Sequence, residues 1–424
     1  MIKFLFKGIL RDKSRSLLPI IIILLGVTLT LLLSGFLRGM MGDIVDQNAR
    51  FDTGHVKVMT KAYAAEQDQL PNDLAMLGLD TLTQGLSARF PDMQWTSRIR
   101  FGGLIDAQDA EGNSKGQGPA SGTAIDLLHD ASGEVERMNI RSSLVSGTIP
   151  TEPGQALVGH ALAEKLKVAI GDQVMYFGTT MNGSMTFKNF AVSGTIRFGA
   201  AAMDKGAIII DLADAQEMLD MADGAGEVLG FFKSNAYDND KALAATNTFN
   251  ALYANSSDEF APVMKTLKQQ NGLADLLDYA DLMAGLFVFI FIAAMSIVLW
   301  NTGLLGGLRR YKEYGIRLAL GESKGRIYGT MVLEALLIGT IGSVIGTVLG
   351  LAGVYYLQVV GIDISSFLQN STMMMPSIMR AKLTPDLFYL GFIPGVVAMV
   401  LGTMLSGIGI YKRETATLFK DLEV

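Results

Sequence analysis

The stretch "RRYKEYGIRLALGESKGRIYG", Arg309–Gly329, sets six cations (Arg309, Arg310, Lys312, Arg317, Lys324 and Arg326) against two acids, Glu313 and Glu322. It links two oily runs, Leu282–Leu308 and Ala335–Ile362, neither of which contains Asp, Glu, Lys or Arg. Two further runs, Ser16–Leu37 and Leu387–Tyr411, are equally free of charge. Each is longer than the ~18 residues at which an uncharged apolar run reads as a membrane span. At ~1.5 Å per helical residue each crosses a ~30 Å hydrocarbon core. Composition agrees: 50% of the 424 residues are hydrophobic and 18% are charged, against roughly 25% charged in soluble domains. The chain reads as an α-helical membrane protein with four transmembrane helices.

Positive charge orients the spans, because Lys and Arg are retained on the cytoplasmic side. The tail before Ser16 carries Lys3, Lys7, Arg11, Lys13 and Arg15 against Asp12, whereas the link 363–386 carries only Arg380 and Lys382. The expected order is a cytoplasmic amphipathic segment at 1–15, a helix at 16–37 and an extracytoplasmic domain with stalk at 38–281. A helix at 282–308, a cytoplasmic link at 309–326 and a helix at 327–362 follow. An outer loop at 363–386, a helix at 387–411 and a cytoplasmic tail at 412–424 complete it. The first span, longer than the ~7–15 apolar residues of a signal peptide and lacking a small-x-small cleavage site, reads as a retained anchor.

The 38–281 region holds 19 basic and 32 acidic residues, a balance that argues against nucleic acid, which needs a basic surface. The absence of cysteine removes thiolate metal sites and cysteine nucleophiles. This region reads as mixed α and β. "GHVKVMT" alternates as a half-buried strand would. "MQWTSRIRFGGLIDAQ" and "GTAIDL" read as strands separated by a polar, flexible loop, "DAEGNSKGQGPASG". A hairpin is expected around Asn182–Gly183. "GAIIIDLADAQEMLDM" reads as a buried strand entering a helix, with Asp211 as its cap and Asp214 bonding back toward it. "NDKALAATNTFNALYAN" has helical spacing, and Pro262–Asp281 reads as helical and continuous with the second span. "RGMMGDIVDQNARF" likewise extends the first span, so that the two extensions form a stalk.

In the third span, Gly342, Gly346 and Gly350 recur every four residues, flanked by Gly339 and Gly353. Such a stripe lets helix backbones approach where lipid gives no hydrophobic drive; close helix packing is expected along it, and a dimer seam is one form that packing can take. No G-x-x-x-x-G-K-[ST], G-x-S-x-G or H-E-x-x-H is present, and His55, His129 and His160 show no metal spacing. No catalytic, cofactor-binding or metal residue is assigned. The chain is read as a non-enzyme.

The link carries more than charge. Tyr311, Tyr314, Ile316, Leu318, Ala319 and Leu320 stand among its cations, as in a short amphipathic helix docking on another protein; a basic loop lying on lipid headgroups is the other reading of the pattern. "YKEYGIRLALGESKGRIYGTMVLEALLIGTIGSVIGTVLG" resembles the signature of MacB/FtsX-like permeases of ABC transporters. The match runs through Glu313, Gly315, Ala319, Leu320 and Gly321, and departs at Glu322, where the family usually has a small residue. "LVSGTIPTEPGQALVGHALAEKLKVAIGDQVMYF" is similar to the family's exterior domain at Gly159, Leu162, Ala163, Leu166, Gly171 and Asp172. The order of one span, a large exterior domain and three spans covers the whole chain.

The resemblance implies a bacterial inner-membrane permease with both termini cytoplasmic, whose coupling segment (Glu313, Tyr314, Gly315, Arg317, Leu320, Gly321) seats on a separate ABC ATPase subunit. ATP is then bound by that partner, with no cofactor in this chain. It also implies a second permease chain, in a homo- or heterodimer, and an exterior domain moved by ATP to export or release a lipoprotein, peptide or amphipathic compound. A periplasmic adaptor or lipoprotein acceptor would be a further partner. The competing readings are a regulator that drives an exterior enzyme such as a cell-wall hydrolase, and a membrane-anchored binding protein with no ATPase.

Overall fold

The computed structural model describes residues 13–108, 114–129, 133–197, 204–363 and 378–412; the side chains of 13–15, 281, 302–315, 406 and 408–412 lie outside that description. Residues 1–12 of the amphipathic segment expected at 1–15, and the tail beyond 412, also lie outside the described residues. The chain forms two compact units. One gathers Met1–Gly42, Leu277–Ile362 and Ile378–Val424, and the other Asp43–Leu276 with Asp363–Ser377.

The helical unit is built on α1 (Lys13–Asn48), α2 (Leu273–Ala319), α3 (Lys324–Val360) and α4 (Phe392–Lys412), with a short helix, Leu387–Leu390, before the last. Among the described residues, four helices are long and apolar enough to cross a membrane. Ile23, Val27 and Leu31 of α1 pack with Met295 and Leu299 of α2, Ile338 and Val354 of α3, and Ala398 of α4. At the far end of this core Arg38 pairs with Asp386 and donates to Thr384 at 3.0 Å, while the Lys382 amide donates to the Gly35 carbonyl at 2.9 Å. Arg38, ten residues before the end of α1, is thus held by a neighbouring segment of the same unit.

Two boundaries differ from expectation. The link 309–326 is no separate helix: α2 runs unbroken through it to Ala319, and the turn is only Leu320–Ser323. Nothing between Leu282 and Ala319 forces a left-handed residue, so helical hydrogen bonding continues until Gly321, with φ +90°. Conversely, the helix expected over Pro262–Asp281 begins only at Leu273. Pro262–Thr266 is a strand, Leu267–Gln269 a single tight turn, and Asn271 (φ +53°) and Gly272 (φ +63°) reset the chain direction before α2.

The sheet unit contains, in chain order, β1 (Val56–Thr60), β2 (Met76–Leu77), β3 (Met93–Gln108), β4 (Ser114–Ile125), β5 (Leu144–Gly147), β6 (Gln155–Gly159), β7 (Gln173–Thr179), β8 (Met185–Ile196), β9 (Ala207–Asp211), β10 (Gly224–Ala225), β11 (Glu227–Phe232) and β12 (Pro262–Thr266). Apart from the small β2–β10 pair, the strands run β12-β1-β11-β3-β4-β9-β6-β8-β5. Because β7 pairs with both β3 and β8, the path β3-β4-β9-β6-β8-β7 closes on itself. Closure removes sheet edges, which are otherwise open to association. The strand order still ends at β5 and β12; β12 begins with a proline that has no amide to donate, and Asn250 bonds both the amide and the carbonyl of Met264, at 2.8 and 2.9 Å.

The supposed loop 109–122 is largely strand, since β4 starts at Ser114. Its glycines answer to packing. A Cβ on Gly122 would lie 2.0 Å from the Phe101 ring, its cross-strand partner on β3, and one on Gly118 would meet Leu162 at 3.3 Å. The β1 strand is buried on both faces, not half-buried, because β12 and β11 flank it and both surfaces are covered. Its Lys57 is 2% exposed and reaches Glu227 at 3.0 Å and Asp52 at 3.1 Å. Asp211 does cap the helix Leu212–Met218, accepting from Ala213 at 3.0 Å. Asp214 does not bond back to it. Its carboxylate accepts from the Gly154 amide at 2.7 Å and from Lys188 at 3.0 Å, which ties the helix to β8. The Asn182–Gly183 hairpin forms as expected, with Gly183 at φ +79° between β7 and β8.

Candidate functional site

The turn between α2 and α3 is shaped by two backbone bonds. The Gly321 amide donates to the Leu318 carbonyl at 3.0 Å and the Glu322 amide to the Arg317 carbonyl at 3.0 Å. This closes the last helical turn around a left-handed residue, a position that favours glycine. A Cβ on Gly321 would meet nothing within 4 Å, so its conformation, not space, asks for glycine. Ser323 then starts α3, its carbonyl accepting from Arg326 at 3.0 Å and Ile327 at 3.2 Å.

Side chains divide at this turn. Ile327 is fully buried and gathers Leu318 and Met331 around it, which fixes the inner face. Ile316 and Leu320, four residues apart on the other face, are 59% and 82% exposed. Two branched apolar side chains thus stand outward at the tip of a helix hairpin. Of the coupling segment expected from sequence, Arg317, Leu320 and Gly321 fall on this turn; Glu313, Tyr314 and Gly315 lie on α2, where their side chains are outside those described. At ~1.5 Å per residue, the 47 residues of α2 reach ~70 Å, more than twice a ~30 Å hydrocarbon core.

The glycine stripe faces α1 of the same chain. Added Cβ atoms on Gly342, Gly346 and Gly350 would lie 2.8–2.9 Å from side-chain carbons of Ile23, Val27 and Leu31 respectively. Contact is close enough for the Thr28 hydroxyl to donate to the Gly346 carbonyl at 3.2 Å. Gly339 faces α4 at Val396 and Met399.

A surface of another kind lies on the sheet unit, and the sequence reading passed over it. The pairings Leu104↔Phe177 and Phe177↔Phe187 set three apolar residues in one row across β3, β7 and β8, and Met185 stands two residues from Phe187 on the same face. Leu104 is 52%, Phe187 71% and Met185 85% exposed. The alternation in "MTFKNF" was the available signal. It marks a strand with one apolar face; the pairing extends that face to Leu104, and the exposure of these side chains shows that it is uncovered among the described residues.

Histidine chemistry is not on offer in the sheet unit at His55. It is buried, its Nδ1 accepts from the Phe232 amide at 3.0 Å, and burial followed by the charges of Arg137 and Arg50 pushes its pKa down to about 4. Among the described residues no group of His, Asp and Glu is arranged to hold a metal ion.

Two family profiles match the chain: one described as MacB-like periplasmic core domain, over residues 16–246, and one described as FtsX-like permease C-terminal, over residues 285–415. Among curated proteins it is 26% identical over 215 residues to the lipoprotein-releasing system transmembrane protein LolC of Xylella fastidiosa (strain 9a5c), covering 49% of this chain and 50% of that protein. The chain thus spans about half the length of the curated relative it matches. Among solved structures, the periplasmic region of MacB from Actinobacillus actinomycetemcomitans is similar with a TM-score of 0.36 and 10% identity, over 54% of this chain and 96% of that one.

Proposed function

The chain belongs to the MacB/FtsX-like permease family, and from that premise we propose that it is the membrane subunit through which a separate ABC ATPase moves an exterior domain to release or export a substrate. The observation that carries this reading is the hairpin tip, where Ile316 and Leu320 stand exposed beyond an inner face already filled by Ile327. A link needed only for positive charge on lipid headgroups has no use for such a pair. A groove on a partner protein does, since burying one such side chain contributes roughly 1.5–3 kcal/mol. ATP binds to the partner, and this chain supplies no catalytic group.

The exposed row on β3, β7 and β8 favours a substrate or acceptor with an apolar part, which keeps lipoproteins and amphipathic compounds foremost. In the dimer implied for such permeases, the second chain uses a face other than the glycine stripe, because α1 fills that stripe within the chain. The test of the reading is copurification: the tagged full-length chain, extracted in mild detergent, should bring down an ATPase whose hydrolysis is vanadate-sensitive. Recovery of the intact chain without any such activity would reject it.

The membrane orientation has its own test. With no native cysteine, Ser184→Cys at the β7–β8 hairpin and Ser323→Cys at the α2–α3 turn place single thiols at exposed positions. In intact cells an impermeant maleimide should label Ser184→Cys and leave Ser323→Cys unmodified until the membrane is opened. The opposite pattern would invert the topology.

A further inference from the structure

The chain passes from α1 to the strands through a π-helical turn, Ala49–Thr53, and from the strands to α2 through Gln270–Gly272. One carboxylate joins these two passages to the sheet. Asp52 accepts from Lys57 of β1 at 3.1 Å, from Arg100 of β3 at 2.7 Å and from Asn271 at 2.6 Å. Around it the Thr53 carbonyl accepts from Gln270 at 3.3 Å, and the His55 carbonyl from the Leu267 amide at 3.1 Å.

The seat of this joint is buried and charged. Lys57 also reaches Glu227, itself 1% exposed, and the Arg50 carbonyl accepts from Arg98, whose guanidinium is paired at 2.6 Å with the fully buried Glu134. Breaking a buried pair leaves an uncompensated charge in a poorly solvated place, so such joints resist opening. The bonds to Asp52 are charge-assisted or short, and they converge from three separate segments. Asn271 is held at φ +53°, a conformation that asparagine tolerates better than most residues.

We infer that Asp52 and Asn271 form a clamp that makes the entering and leaving segments one mechanical body with β1 and β3, so that motion of α1 or α2 reaches the sheet through both passages together. The clamp stands on geometry alone; its use in transmission rests on the function proposed above. Hydrogen exchange on the full-length chain in lipid nanodiscs tests the first. Asn271→Ala should accelerate exchange about tenfold, as expected for loss of one charge-assisted bond, in 267–273 and also in 49–54, more than two hundred positions away in sequence. Amides of β6 and β9 should not change. Asp52→Asn should loosen the same two segments, and if it unfolds the unit outright, Asn271→Ala decides. Acceleration confined to 267–273 in Asn271→Ala would overturn the clamp.

The second test uses the complex with its ATPase. Wild type should show a nucleotide-dependent change in exchange in β1 and β3, and Asn271→Ala should lose it while hydrolysing ATP at an undiminished rate. A nucleotide response retained in Asn271→Ala would overturn the transmitting role. Absence of any response in wild type would instead overturn the proposed function and leave the clamp to the first test.

Discussion

Leu320→Asp in the full-length chain should strip away the partner ATPase while membrane insertion and yield of the chain stay normal. Leu320 is 82% exposed and takes no part in the cluster around Ile327, so its replacement removes nothing that the isolated chain needs. In a complex it would lie in a partner groove. Losing ~1.5–3 kcal/mol of apolar burial weakens association about ten- to hundredfold, and a carboxylate in that groove adds a desolvation cost. The exposed cation Arg326 is a contrast within the same turn. Exposed ion pairs contribute ~0–1 kcal/mol and are screened by salt, so Arg326→Ala should weaken recovery mildly, and less at high salt. Pull-down in low and high salt separates the two. Full ATPase recovery with correctly inserted Leu320→Asp would remove that residue from the contact, and if cation removal dominates instead, the tip lies on lipid headgroups.

Gly346→Leu should prevent assembly of the helical unit. Even a bare Cβ would stand 2.9 Å from the Val27 Cβ and 3.0 Å from the Leu24 carbonyl, and a backbone oxygen cannot rotate away. Leucine adds three further carbons, so α1 must withdraw along its length, losing the Thr28–Gly346 hydrogen bond and the packing of Ile23, Val27 and Leu31. Overpacking typically costs ~1–3 kcal/mol, and the backbone contact puts this site at the upper end, about a hundredfold in the assembled fraction. Gly285→Leu is the control, because a Cβ there meets nothing within 4 Å. Monodisperse yield and thermal stability in detergent should fall for Gly346→Leu and hold for Gly285→Leu. Equal stability of the two proteins would mean that α1 does not close on the stripe.

Long features were legible from sequence and short or paired ones were not. Uncharged runs of more than twenty residues have one physical meaning, and Asn182–Gly183 or Asp211 before an apolar helix carry their chemistry locally. The end of β4 was legible in "GTAIDL", but its first part was hidden because Gly116, Gly118 and Gly122 are the residues of flexible loops; that Gly122 sits under Phe101 depends on a partner strand. Pro262–Thr266 is too short for a period of two to be told from one of 3.6, although Asn271–Gly272 marked the true helix start. The half-buried reading of "GHVKVMT" failed because the partner that lets Lys57 be buried, Glu227, lies 170 positions away. At the hairpin tip Gly321 was readable as a turn residue. Which of Ile316, Leu318 and Leu320 faces outward was not, since Ile327 on the next helix decides it.

The unbroken run of α2 sets a rule for its own length. Each helical residue advances the phase by ~100°, so one residue inserted between Leu273 and Ala319 would turn Ile316 and Leu320 a quarter-circle or more away from their outward bearing. Two or three would point them elsewhere again. Seven residues return within ~20° of the starting phase and eleven do equally well on the other side of it, at the expense of a longer shaft. Relatives that keep this helix continuous should therefore differ in its length by such whole-phase steps, much as meshing gears change by whole teeth, while their surface loops vary freely.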